Sequence, residues 1–204
     1  IEIGAVKVKN GEILDRFSTF VNPQMPIPPE IENLTSISDQ MVIPAPTIDE
    51  VLPQFLTFAE GCFLVAHNAS FDVSFIRETI RQWNLRHEGE EGVQSLSEHF
   101  TVVDTVGMAR TLLPGLHNYK LDTVARELAV SLDHHHRAVD DAECTAGIYH
   151  GLVKVAQEKY GTDTLASLDE NARMSPEVIK RMPTYHVIIL AKNDIGRIHL
   201  YKLI

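Results

Sequence analysis

The sequence predicts an α/β fold in which a mixed sheet is flanked by helices, and three observations carry that prediction. Asn10-Gly11 stands between two alternating apolar runs, a strong short-range signal for a β-hairpin. After it, short β-branched runs alternate with longer segments of helical period. The chain has 204 residues and is 44% hydrophobic, enough to bury one good core plus a small appendage.

The elements follow in order. Residues 1–8 and 13–21 read as the two hairpin strands. Residues 47–59 read as a helix, with Ile48, Val51, Leu52, Phe55 and Leu56 at helical spacing. Residues 62–66 are expected to form a buried strand and 71–84 the helix after it, with Phe71 and Phe75 in the core. A polar, variable loop is expected over 87–97, then a strand over 101–104 and a helix through Leu113. Residues 119–128 and 137–159 supply two more helices. Beyond a polar stretch over 161–174, a short helical segment is expected near 176–181. The run Tyr185-His186-Val187-Ile188-Ile189-Leu190 then has the composition of a buried strand, and Asn193-Asp194 with Gly196 supplies turn chemistry. There are no internal repeats.

Two separate segments each present one acid. In Val65-Ala66-His67-Asn68-Ala69-Ser70-Phe71-Asp72 an apolar run ends in small polar residues and delivers a carboxylate into the first turn of a helix. In His136-Arg137-Ala138-Val139-Asp140-Asp141 an imidazole precedes a carboxylate by five positions. Positions five apart on one helix point about 140° away from each other. His136 therefore belongs to the lead-in loop and Asp141 to the helix. With an ordinary pKa near neutrality, a loop histidine beside a metal-binding carboxylate is placed to act as a general base.

These residues carry a resemblance. His136-x-Ala138-x-x-Asp141-Ala142 resembles the third motif of the DnaQ-like (DEDDh) 3'–5' exonucleases, and His67-Asn68-Ala69-x-Phe71-Asp72 resembles the second. The opening Ile1-Glu2-Ile3-Gly4-Ala5-Val6 and the Asn10-Gly11 hairpin resemble the second strand of that family. Leu34-Thr35-x-Ile37-Ser38-x-x-Met41 resembles its loop and entry to the next helix. The likeness covers residues 1 to about 157 and implies a ribonuclease H-like mixed sheet flanked by helices, with the first strand absent from this chain. That strand would bear an Asp-x-Glu pair just before Ile1. Glu2 is not a substitute, because it belongs to the second-strand pattern.

The tail over 183–204 resembles the place where the PHP domain of PolC-type DNA polymerases resumes after an inserted exonuclease. The expected organisation is thus an exonuclease domain over 1–157, a linker with a short helix over 158–182, and a PHP fragment over 183–204.

The resemblance implies two-metal phosphodiester hydrolysis with two Mg2+ or Mn2+ ions, ligated by Asp72, Asp141 and the two upstream acids, with His136 as the base. It implies deoxynucleoside 5'-monophosphates cut from a frayed primer 3' end. Asn68 is a candidate substrate contact, and Leu34, Thr35 and Ile37 are candidates to wedge against the terminal base. His67 and Asp104 are supporting candidates. The implied partners are single-stranded or frayed DNA, the remaining domains of a parent polymerase, and through it the sliding clamp and other replisome subunits.

Each assignment has a plainer alternative. Asp72 and Asp141 could be ordinary helix acids, and the run His134-His135-His136 an exposed polar turn. His67 could simply pack, Asn68 could fix its loop, and Asp104 could serve only as a hydrogen-bond acceptor. The net charge of −10 runs against a stand-alone DNA-binding domain, which usually has a basic footprint. Metal ligation and a grip supplied by the rest of a polymerase both account for it. Cys62 and Cys144 fit no metal or disulfide pattern and are expected to be small core residues. No apolar run is long enough to cross a membrane, and the expected location is the cytoplasm. An exonuclease acting on RNA or repair DNA, and a non-catalytic module binding DNA or a polymerase, are the competing readings.

Overall fold

The computed structural model describes residues 1–90, 96–131 and 137–161. His136, part of the 87–97 loop, the 176–181 segment and the tail strand lie outside the described residues.

Strands β1 (Glu2–Lys9) and β2 (Glu12–Phe20) pair antiparallel around the turn. Asn10 (φ 55°) and Gly11 (φ 83°) both occupy the left-handed region, as a two-residue type I′ turn demands. The register shifts between Lys7 and Val8, so that Leu14 is the extra residue of a bulge and is exposed.

Two short helices follow where the sequence suggested a loop: α1 (Pro29–Thr35) and α2 (Asp39–Val42). Pro29 at the start and Glu30 and Glu32 in the first turn favour the first of these. It buries none of its residues, which is why no apolar period announced it.

Helix α3 (Ile48–Ala59) starts with a capping box, the Glu50 carboxylate accepting the Thr47 N–H at 2.8 Å. Pro53 sits inside it and has no N–H to offer the carbonyl four residues back. That carbonyl, on Asp49, instead accepts the Trp83 indole N–H at 3.2 Å. Helix α3 thereby joins helix α4 (Ala69–Arg86), and Leu52, Ile80 and Trp83 form a shared core.

Strands β3 (Leu64–Ala66) and β4 (Val102–Asp104) pair in parallel, with Ala66 opposite Asp104. The expected buried strand is half-buried and shorter than predicted, since Cys62 and Phe63 are exposed. The described strands thus form two two-stranded ladders rather than one continuous sheet.

Helices α5 (Thr105–Leu112), α6 (Leu121–Glu127) and α7 (Ala138–Tyr160) enclose the main core of Ala109, Leu112, Val124, Cys144, Ile148 and Leu152. Helix α7 also packs on β1 and β3. No described helix is long and apolar enough to cross a membrane.

Phe71 and Phe75, expected in the core, are 72% and 47% exposed. Helical period explains the correction. The buried stripe of α4 runs through Ala69, Val73, Ile80 and Trp83. At ~100° per residue, Phe71 and Phe75 lie roughly 200° and 240° around the axis from Ala69, on the opposite face.

Candidate active site at the strand ends

Because β3 and β4 are parallel, their C-terminal ends lie side by side, and both feed directly into helices. Such strand ends are where open α/β sheets present ligand-binding groups. Asn68 takes a left-handed conformation (φ 70°, ψ 52°), which an asparagine adopts more readily than most residues, and turns the chain from β3 into α4. The half-buried Asp104 carboxylate accepts two backbone N–H groups through Oδ1, from Asn68 at 3.1 Å and from Val106 at 2.9 Å. One acid thus caps α5 and pins the loop before α4.

His67 is committed to structure. Its Nε2 lies 2.8 Å from the Tyr119 carbonyl and its Nδ1 2.9 Å from the Thr105 hydroxyl. A carbonyl can only accept, so Nε2 donates to it, and the single Thr105 hydroxyl proton is shared between Nδ1 and the Ala66 carbonyl, 3.3 Å away. Thr105 is fully buried and follows Asp104 directly. This partner was not anticipated, although a hydroxyl after a strand-terminal acid is a readable signal.

Asp72 lies in the first turn of α4 and is accessible to solvent. Its carboxyl is nevertheless raised above the ordinary aspartate range, first by desolvation and then by the negative field of Asp104, against a lowering hydrogen bond from its own backbone. Asp141 lies in the first turn of α7, half-buried, and its N–H donates to the Arg137 carbonyl at 3.0 Å. The Cys144 thiol one turn on is pushed up to about 11, by burial first and by Asp141 second. Cys62, expected in the core, is exposed.

The structure therefore brings Asn68, Asp72 and Asp104 together, while Asp141 stands in the first turn of a separate helix, α7, which packs on β3. Among the described residues, no three His, Cys, Asp or Glu side chains cluster closely enough to hold a metal ion. The donor chemistry still suits a hard divalent cation, being carboxylate oxygen held under mutual repulsion. The described acids fit such an ion as part of a donor set and do not complete one.

Of the candidate wedge residues, Leu34 is 66% exposed at the end of α1. The Thr35 hydroxyl donates to the Ile31 carbonyl and accepts the Ile37 N–H. Ile37 itself is buried, so it supports this segment from beneath and presents little surface to a ligand.

Glu2, set aside above as a metal ligand, has a side chain only 4% exposed. Its Oε1 accepts Nε and Nη2 of Arg137 at 3.1 and 3.0 Å, and its Oε2 accepts the Ala138 N–H at 3.2 Å.

The fold around these strand ends is that of a nuclease domain, and the chain belongs to the exonuclease family, whose model matches residues 1–149. It is 47% identical over its whole length to the PolC-type DNA polymerase III of Caldanaerobacter subterraneus subsp. tengcongensis, and 48% identical to that of Clostridium perfringens. The chain spans 14% and 13% of those two proteins. Among solved structures it is similar to Exonuclease X in complex with 5' overhanging duplex DNA, with a TM-score of 0.57 and 28% identity, covering 79% of this chain and 85% of that one. The nuclease domain of 3'hExo, a DEDDh family member bound to rAMP, shares the fold with a TM-score of 0.56 at 20% identity, covering 74% of this chain and 76% of that one. The fold is the ribonuclease H-like α/β arrangement of these DEDDh exonucleases.

Proposed function

We propose that this chain is the proofreading 3'–5' exonuclease module of a PolC-type replicative DNA polymerase III acting in the cytoplasm. The observation that carries the reading is the extent of the likeness. The exonuclease family model ends at residue 149, whereas PolC-type polymerases align along the entire chain. A tail shared with these polymerases supports an exonuclease set within a larger enzyme, with boundaries near residues 157 and 182 and a PHP segment after them.

In this reading Asp72 and Asp141, with the two acids that the resemblance assigns to a preceding strand, hold two Mg2+ or Mn2+ ions. When bound, such ions activate water and stabilise charge on the departing 3'-oxygen. His136 takes the proton from the attacking water. Asp104 holds the loop that presents Asn68 to the terminal nucleotide, and the exposed Leu34 at the end of α1 offers an apolar edge to its base. DNA is bound as a frayed primer end, and the net charge of −10 is offset by basic surface elsewhere in the polymerase and by the ions. The clamp and other replisome subunits are reached through the parent polymerase.

Product analysis tests this. With the full-length protein, a mismatched DNA primer should release deoxynucleoside 5'-monophosphates, and a ribo-oligonucleotide of the same sequence should be cut far more slowly. Equal or faster release of ribonucleotides would instead identify an RNA-directed enzyme.

A further inference from the structure

The geometry points to Glu2 as a positioning residue, one that fixes the motif-bearing start of α7 from the neighbouring strand; this inference rests on the exonuclease reading above. Helix α7 has no side-chain cap of its own, and Arg137 occupies the N-cap position in an extended conformation. The first N–H groups of a helix have no partner within it. Glu2 supplies one from another element, its buried carboxylate accepting the Ala138 N–H. A negative charge at that end is also favoured by the helix dipole.

The same carboxylate holds the Arg137 guanidinium, which lies 5.6 Å over the Phe20 ring on β2. The Arg137 carbonyl in turn accepts the N–H groups of Asp140 and Asp141, each at 3.0 Å. One peptide unit therefore links Glu2 to the backbone of Asp141, and His136 is its covalent neighbour.

Gly4 completes the seat. Residues two apart on a strand share a face, so Gly4 and Glu2 both look toward α7. A Cβ at position 4 would come within 2.2 Å of Ala138 C and Val139 N. The absent side chain permits the close approach, and the carboxylate fixes where along the strand the helix begins. Removing the carboxylate frees this start to shift, and a displacement of about 1 Å at reacting groups can cost roughly 100-fold in rate.

The test uses the full-length protein with Glu2→Gln, Glu2→Ala and, as a variant on the more exposed side of the pair, Arg137→Gln. Each is assayed on a mismatched primer and by amide hydrogen exchange of residues 138–141. The expected result is a kcat lowered about 10- to 100-fold in Glu2→Ala with KM for DNA within about twofold. Glu2→Gln, which keeps an acceptor for Ala138, should recover part of the loss. Exchange at Ala138 and Asp141 should quicken in Glu2→Ala while the α5–α6 core stays protected. A folded Glu2→Ala and a folded Arg137→Gln with unchanged kcat would overturn the assignment. So would exchange that quickens equally throughout the domain. If the wild type proves inactive, the exonuclease reading fails by itself, and exchange at residues 138–141 still decides whether Glu2 anchors α7.

Discussion

The Asp104 carboxylate accepts the backbone N–H of Asn68, 36 residues earlier in the chain, at 3.1 Å. Through this contact the end of β4 governs the loop that leads to Asp72. With the same oxygen on Val106, Asp104 ties two helix starts to one strand end.

Replacing Asp104 tests that double role. Asp104→Ala removes the α5 cap and the pin on Asn68 together, and should cost on the order of 2 kcal/mol. Asp104→Asn keeps a carbonyl oxygen and should cost about half as much. Urea denaturation of the two variants measures the difference.

Asp72 should oppose folding while it carries charge without a cation. Its folded pKa is raised, so between the ordinary aspartate value and that higher value the folded state binds more protons, and stability falls as pH rises. Asp72→Asn should therefore melt at or above the wild-type temperature at neutral pH in chelator, and should lose this part of the pH slope. Adding Mn2+ should raise the wild-type melting temperature more than that of Asp72→Asn. Calorimetry across the acidic range, with and without the ion, checks both statements.

The Pro53 and Trp83 arrangement makes a non-additive prediction. Trp83→Phe leaves the Asp49 carbonyl without its indole donor and should destabilise by about 1–2 kcal/mol. Adding Pro53→Ala restores an N–H four residues on and should recover part of that loss. A double-mutant cycle by denaturation reads the coupling.

The two cysteines should react very differently. Cys62 is exposed, whereas Cys144 is buried with its thiol pushed up to about 11. A thiol reagent at neutral pH should modify one cysteine quickly and the second only on unfolding, and Cys62→Ser should abolish the fast phase. Rapid modification of Cys144 in the folded protein would contradict its placement.

Much of the fold was legible because its signals are local. Asn10-Gly11 dictates a turn, and the spacing of Ile48, Val51, Leu52 and Phe55 survives Pro53 because Trp83 satisfies the carbonyl it leaves. The second motif also places Asp72 in the first turn of α4, because the apolar run before it ends in the small polar residues of a helix start. What could not be read were relations across the chain. Phe71 and Phe75 look like core until the stripe through Val73, Ile80 and Trp83 is fixed by its packing against α3. α1 buries nothing, so it left no period to detect. The link from Glu2 to Arg137 joins residues 135 apart, and nothing at either position alone announces it.

The most direct measurement is the shortening of a 5'-labelled, 3'-mismatched primer by the full-length protein with Mn2+, comparing wild type with Asp72→Asn, Asp141→Asn and His136→Ala. Stepwise loss of nucleotides from the 3' end is expected, reduced at least about 100-fold in each variant. Shortening that persists in folded Asp72→Asn and Asp141→Asn proteins, or a folded, metal-loaded wild type that leaves the primer intact, would contradict it.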